Sequence, residues 1–339
     1  MDKCEKLDNC KQLDKCEKLD WLFIGPTPLS GIGQVMLKYS QAANGKHLVF
    51  GEKITQKFDY ILAFVLPVKE YIDMAKEYQK YAKNTFYAMT ICETLTVHTS
   101  YLGIFKEFEN VLTPSEFCRN VFKNQFGVDS TVVPLYQSPT PERLFPTLQS
   151  CPYTFYTIGN LADPRKNIRM LVDAFIRCNF GSSARLLLKA TCAQDFHMNI
   201  PNVQVINGLI SDEDLEKHVH NKAHCYINCS HSEGVGMGAV EAALRNKPVI
   251  ITDFGGLKEY VKTQYTIKCT PIAIGNNAEF LFTPDMVWGQ PDKGQLITFM
   301  KECFDKKLTI QEHPETILKV NQALMFFSHA ECNNTYNLD

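Results

Sequence analysis

Residues 232–253 read S-E-G-V-G-M-G-A-V-E-A-A-L-R-N-K-P-V-I-I-T-D, with Glu233 and Glu241 separated by seven residues. A glycine-rich loop opens what reads as a helix, two carboxylates stand at its start, and a buried strand follows. A helix start preceded by glycines collects free backbone N–H groups at the positive end of the helix dipole, which suits a phosphate or diphosphate. Carboxylates repel that anion, so hydroxyls are their natural partners. A ligand that offers both hydroxyls and a diphosphate is a nucleotide-sugar.

On either side of this stretch, short β-rich runs alternate with helical patterns. W-L-F-I-G from Trp21, H-L-V-F, Y-I-L-A-F-V, T-F-Y-A-M, N-V-L-T and S-T-V-V-P-L read as strands, with helices over 31–43, 69–83 and 115–125. Helix 69–83 carries Lys69, Lys76, Lys80 and Lys83 interleaved with Glu70, Asp73 and Glu77, the pattern of a solvated face with local pairs such as Asp73–Lys76 and Glu77–Lys80. Q-S-P-T-P-E-R-L-F-P-T marks a linker. Alternation then resumes with Y-T-F-Y-T-I-G, a helix from about 166, R-L-L-L-K-A, V-Q-V-I, a helix over 211–220 and H-C-Y-I-N-C, and it ends in two helices. The expected fold is α/β, two Rossmann-like doubly wound domains facing a central cleft. The first domain spans 21–136, the linker 137–150 and the second domain 151–339, with the last helix packing back on the first domain. Residues 1–20 are a low-complexity extension of three hexads, K-C-E-K-L-D, N-C-K-Q-L-D and K-C-E-K-L-D, whose period suits neither a coiled coil nor a solenoid.

The chain has 339 residues, 45% hydrophobic and 21% charged, enough for two domains with their own cores. A net charge of −2 gives no electrostatic case for nucleic acid. Thirteen cysteines, with no C-x-x-C pair, suit reduced thiols and a cytoplasmic setting. The N-terminus lacks an apolar signal region, and no apolar run is long enough to cross a membrane, which leaves peripheral membrane association open.

Three further segments carry chemistry. I-G-P-T-P-L-S-G-I-G-Q-V-M-L puts Gly31 and Gly33 where a strand turns into a helix, so backbone can approach a ligand closely; Met36 breaks the full dinucleotide fingerprint. T-I-G-N-L-A-D-P-R-K-N puts Arg165 and Lys166 after a strand, where two cations can neutralise a diphosphate leaving group. Asp212-Glu213-Asp214 has the D-x-D form of metal-dependent sugar transferases. Ser211 before it and a helical pattern after it make these acids a capped first turn, and no metal is expected.

Together these residues resemble retaining glycosyltransferase family 4, with its two-domain GT-B fold. The resemblance runs from about Trp21 to the C-terminus and is firmest between 153 and 262. It rests on Glu233–Glu241 with Ser230 before, Gly234 and Gly236 within, and P-V-I-I-T-D-F-G-G-L-K-E-Y after. In the first domain it rests on A-M-T-I-C-E-T and N-V-L-T-P-S-E-F-C-R-N-V-F. The resemblance implies that Glu241 hydrogen-bonds the donor's ribose and that Glu233 sits by the donor sugar. Amides around Gly234, Gly236 and Met237 would hold sugar or phosphate, and Gly31 and Gly33 would approach the donor from the first domain. Lys166 would neutralise the diphosphate with Arg165 as helper. Family members often carry arginine where this chain has Asn160, which leaves the second cation open. Leu209 and Ile210 are wall residues for the base, while Gly255, Gly256 and Glu259 form a turn and helix start near the sugar pocket. The first-domain group beside the reacting carbon is Glu93 or, as second choice, His98.

The implied reaction moves a sugar from a nucleoside-diphosphate-sugar to a hydroxyl of a glycan, lipid or protein acceptor, with retention and without metal or other cofactor. Two other readings of the same residues stay open: a phosphorylase or epimerase on this fold, and a nucleotide-sugar-binding partner subunit without turnover.

Overall fold

The computed structural model describes residues 19–137, 152–192 and 194–333. The hexads through residue 18, with Cys4, Cys10 and Cys16, lie outside the described residues, as does all of the expected linker except Gln137.

The first domain runs β1 (Trp21–Gly25), α1 (Gly31–Ala42), β2 (Lys46–Val49), β3 (Phe58–Phe64), α2 (Lys69–Gln79), β4 (Ala82–Met89), α3 (Tyr101–Glu107), β5 (Asn110–Thr113), α4 (Glu116–Phe126) and β6 (Thr131–Val132). Its six strands pair in parallel in the order β2-β1-β3-β4-β5-β6. A parallel sheet is covered on both faces, so its central strands are largely apolar, whereas the edge strand β2 and the start of β4 are not buried. Every residue of β1 is buried. Leu22 and Ile24 face one cluster with Ile61, Ala75, Ile104 and Phe122, whereas Trp21 and Phe23 face the other with Val35, Tyr39 and Leu62. That alternation is the period of two of a strand sandwiched between helix layers.

The second domain runs β7 (Tyr153–Gly159), α5 (Ile168–Cys178), β8 (Ala184–Ala190), β9 (Val203–Ile206), α6 (Asp212–His218), β10 (Cys225–Ile227), α7 (Met237–Leu244), β11 (Val249–Thr252), α8 (Leu257–Tyr260) and β12 (Thr266–Ile267). A hairpin, β13 (Cys269–Ala273) and β14 (Val287–Pro291), and two helices, α9 (Lys293–Asp305) and α10 (Pro314–Asn333), follow. The main sheet is parallel in the order β12-β11-β10-β7-β8-β9, so the chain reverses direction across the sheet between β7 and β10. Phe155, Leu186, Leu188 and Ile227 pack with α5 and α9, while Tyr156, Leu187, Tyr226 and Ile251 pack with α7 and α8. The fold is thus the expected pair of doubly wound α/β domains.

The details depart from the sequence pattern in three places. The helix expected over 69–83 stops at Gln79, because parallel pairing with β3 draws Ala82 onward into β4. Lys83 therefore lies in a strand and pairs with Asp59 at 2.9 Å, and Lys76 reaches Glu107 of α3 at 2.6 Å rather than Asp73; Glu77–Lys80 does form. The short helix α3 and the β13–β14 hairpin have no counterpart in the sequence reading. No helix among the described residues is long and apolar enough to cross a membrane.

The last helix joins the two domains. Val320 is buried in the second domain's α7/α8 cluster, whereas Ala323 and Phe327 are buried in the first domain's core. The Phe327 ring meets Trp21 at 5.3 Å, Phe23 at 5.5 Å and Tyr39 at 5.3 Å between centroids, all close to edge-on. Phe327→Ala should therefore cost about 3–5 kcal/mol, the usual penalty for emptying a buried aromatic site. Denaturant titration checks it, with the loss expected in the transition of the first domain, whose core the ring fills.

Candidate functional site

All strands of each main sheet run the same way, so the loops after their carboxyl ends gather on one edge, and ligands of such sheets bind where the strand order reverses. In the second sheet the reversal lies between β7 and β10. The loop after β7 carries Asp163, Arg165 and Lys166, and the loop after β10 carries Asn228, Ser230 and Glu233. The motifs that flank the reversal are thus brought together by topology.

They meet in a buried ionic knot. Arg165 is 8% exposed and Glu233 4%. Nη1 of Arg165 lies 3.0 Å from Oε2 of Glu233 and donates to the Ser232 carbonyl at 2.9 Å, and Nη2 binds Asp163 at 2.9 Å. Asp163 also takes the Arg165 backbone N–H, fixing a short 3-10 turn over Pro164–Lys166. Lys166 Nζ reaches Oε1 of Glu233 at 2.6 Å, and the same oxygen accepts from Ser230 at 2.8 Å and Asn228 at 3.3 Å. Burial pushes the Glu233 carboxyl upward, but the charges of Lys166 and Arg165 and the hydrogen bonds from Lys166 and Ser230 outweigh it and hold its pKa at about 2.

The first domain enters this knot through Glu93, on the loop after β4. Its carboxylate lies 3.1 Å from Arg165 Nη1. Burial pushes the Glu93 carboxyl up, Arg165 pulls it down, and Glu233 pushes it up again, leaving it raised. His98 is placed differently: it is exposed, and its Nδ1 accepts the Ser100 N–H at 3.2 Å and meets the Ser100 hydroxyl at 2.8 Å, within its own loop.

Helix α7 begins beside Glu233. Gly236 precedes it with φ +78°, a left-handed conformation that glycine adopts without strain, and no side chain caps the helix. Its first N–H groups are thereby available to an anion. A Cβ at Gly234 would run into the Ile91 side chain of the first domain, so that glycine lets the domains close. Gly31, at the start of α1, faces Met237 at the start of α7, its Cβ direction pointing to the Met237 sulfur at 3.8 Å. The two glycine loops therefore confront each other across the cleft. Gly33 has a local reason as well: a Cβ there would strike the Thr27 carbonyl, while its N–H is taken by Ser30, the N-cap of α1.

Glu241 sits one turn into α7. Its Oε1 lies 3.5 Å from Lys38 Nζ of α1 and 3.4 Å from the Gln137 amide, and Lys38 donates to Gln137 at 2.9 Å. His220 approaches Oε2 at 3.9 Å, but burial lowers its pKa well below the ordinary value, so it is neutral and makes no ion pair. Leu209 and Ile210 lie on the β9–α6 loop; Leu209 is 48% exposed and Ile210 packs against the cluster of Tyr156 and Leu187. The buried ammonium of Lys189 donates to the Gly208 carbonyl next to them at 2.5 Å. Ser211 caps α6 by accepting the Asp214 N–H at 3.1 Å, with Asp212, Glu213 and Asp214 in its first turn. Gly256 and Glu259 work at the domain boundary, where a Cβ on Gly256 would strike Ser115 and the Glu259 carboxylate takes the Glu116 and Phe117 N–H groups of α4 at 2.8 and 2.7 Å.

Several of these residues escaped the sequence reading. Asp163 was visible only as part of D-P-R-K, where an acid before proline signals a turn and not an arginine partner. Lys38 had no motif at all, since it matters only once α1 is laid beside α7, and Gln137 was visible only as the first residue of the linker. Because Glu233 has its pKa lowered from 4.5 to about 2, its ionic contribution to stability is complete above about 4.5 and is lost as pH falls through about 2. Wild type should exceed Glu233→Gln in stability at neutral pH, and the gap should close over that window in urea titrations.

Comparison with known proteins bears on the same residues. Residues 188–273 match the family model described as glycosyl transferases group 1. The matched segment holds Leu209, Ile210, Glu233, Gly234, Gly236, Met237 and Glu241, and excludes Glu93, Arg165 and Lys166. A sequence search among curated proteins found no match. In structure the chain is similar to a lipopolysaccharide outer core galactosyltransferase, WaaB, in its apo form, with TM-score 0.57 and 11% identity over 94% of this chain and 100% of that one. It is similar to an α,α-trehalose 6-phosphate synthase from Burkholderia multivorans, with TM-score 0.54 and 10% identity over 90% of this chain and 76% of that one. It also resembles the pneumococcal O-GlcNAc transferase GtfA in complex with UDP and GlcNAc, with TM-score 0.50 and 11% identity over 82% of this chain and 57% of that one. The fold is that of the GT-B glycosyltransferases, and with the matched group 1 segment it supports a glycosyltransferase.

Proposed function

We propose that the chain is a retaining, metal-independent glycosyltransferase of the family 4 kind, moving a sugar from a nucleoside-diphosphate-sugar to an acceptor hydroxyl. The observation that carries this reading is the convergence of Lys166, Glu233 and the uncapped start of α7 at the strand reversal, with Glu93 of the opposite domain facing them. The diphosphate lies on the α7 N–H groups and Lys166, Glu241 takes the ribose hydroxyls, and Glu233 takes hydroxyls of the donor sugar. Arg165 is held by three carboxylates, so it serves to orient Glu233 and Glu93, and Lys166, with 19% of its side chain exposed, is the cation free to exchange Glu233 for phosphate.

In the reaction the bond from the anomeric carbon to the phosphate oxygen breaks, and the acceptor oxygen bonds to that carbon on the same face. The acceptor's proton passes to the departing phosphate oxygen. Negative charge grows on the diphosphate, where Lys166, once released from Glu233, and the helix amides stabilise it, and positive charge grows at the sugar carbon, which an ionised Glu93 stabilises. Domain closure excludes water, which would otherwise compete with the acceptor. A second reading, a nucleotide-sugar-binding subunit without turnover, draws support from the engagement of Glu93 by Arg165 at 3.1 Å.

A thermal-shift panel of UDP-, GDP- and ADP-sugars with and without EDTA should give one stabilising donor whose effect survives the chelator. Lys166→Ala should abolish that shift. Glu93→Gln should keep the shift and lower release of the nucleoside diphosphate by about a hundredfold. Intact turnover in Glu93→Gln would remove Glu93 from the reaction, a donor bound without turnover in wild type would select the second reading, and no response to any donor would reject both.

A further inference from the structure

Lys38, on α1 of the first domain, is 8% exposed and carries its ammonium across the domain boundary to Glu241. There it stands with Gln137 as a compact trio of ammonium, amide and carboxylate, all within 3.5 Å of one another. None of the three belongs to the Arg165 knot, and the pattern differs from an anion site, since the Glu241 carboxylate would repel a phosphate. An acceptor beside two kinds of donor is the chemistry that reads a pair of neighbouring hydroxyls, each of which gives one hydrogen bond and takes another.

We infer that Lys38 and Gln137 are the first-domain half of the ribose site, so that the nucleotide's hydroxyl pair is read by both domains at once; this rests on the nucleotide-sugar reading above. In the structure Lys38 pairs with Glu241 and the Gln137 amide donates to it. When the donor is bound, the ribose hydroxyls donate to Glu241 and accept from Lys38 and the Gln137 amide, so the same three groups stay satisfied with the sugar between them. The arrangement makes Lys38 a specificity-determining residue: it favours ribonucleotides over deoxynucleotides, and it ties recognition of the ribose to closure of the first domain.

Calorimetric titration tests this with UDP, GDP and ADP and with the 2′-deoxy and 3′-deoxy forms of each. The best-bound ribonucleotide should bind wild type about tenfold or more tightly than at least one of its deoxy forms, the loss expected for a hydrogen bond to a charged group. Lys38→Met should weaken the ribonucleotide by a similar factor and leave that deoxy form within about twofold, so that discrimination collapses. Gln137→Ala, at a half-buried position, should reduce discrimination in the same direction even if Lys38→Met fails to fold. Equal weakening of ribo and deoxy forms in both variants would reduce the trio to an interdomain prop and overturn the inference, as would wild type that does not distinguish them. Failure of wild type to bind any of the nucleotides would overturn the donor reading itself, an outcome distinct from the others.

Discussion

A guanidinium buried with three carboxylates organises this molecule. Nη1 of Arg165 serves Glu93, Glu233 and the Ser232 carbonyl at once, and Nη2 serves Asp163. A single arginine could not neutralise three acids in a dry interior, and Lys166 supplies the second positive charge from the next residue. The desolvation cost of such a group is repaid only by good geometry. The 3-10 turn over Pro164–Lys166 provides that geometry, because Asp163 fixes the backbone of the same arginine whose side chain it binds. Remove any one carboxylate and the balance of charge shifts toward the cations.

The knot also fixes how the domains meet. Glu93 reaches it from the first domain, and the glycines of the second domain remove the side chains that would hold Ile91 and Ser115 away. Tyr260 adds a hydroxyl that donates to the Pro114 carbonyl and accepts the Leu135 N–H at 2.9 Å, two points of the first domain bridged by one ring. Behind them α10 fastens the domains through aromatic packing on Trp21 and Phe23. Polar contacts gather around the Arg165 knot, apolar ones such as Ile91 beside Gly234 and Met237 beside Gly31 border them, and the aromatic packing of α10 closes the back.

Much of this was legible in the sequence, for identifiable reasons. Continuous apolar runs such as W-L-F-I-G, too short for a buried helix and set between helical patterns, read as strands covered on both faces, and their alternation with helices favours parallel pairing. Arg165 and Lys166 were found because they follow a strand in a loop, and Glu233 because a glycine-rich loop opens a helix beside it; the strand order then brings both loops to one sheet edge. Glu93 was found through a resemblance, and the structure gives it Arg165 as a partner that no local pattern could show. What stayed hidden depended on juxtaposition: Lys38 looks like any lysine of an amphipathic helix until α7 lies beside it. The overlong α2 has the same cause, since lysines and tyrosines at 80–83 suit a helix until a neighbouring strand claims the backbone.

The contact of Glu259 with α4 has one more consequence. The carboxylate grips the N–H groups of Glu116 and Phe117, main-chain atoms that nearly every residue type possesses. Only proline lacks that donor. This fastening therefore makes its side-chain demand on one partner alone: the second domain must keep its acid at 259, whereas at 116 and 117 it asks only for a backbone N–H. An evolving first domain can change the exposed side chain at 116 without loosening this join.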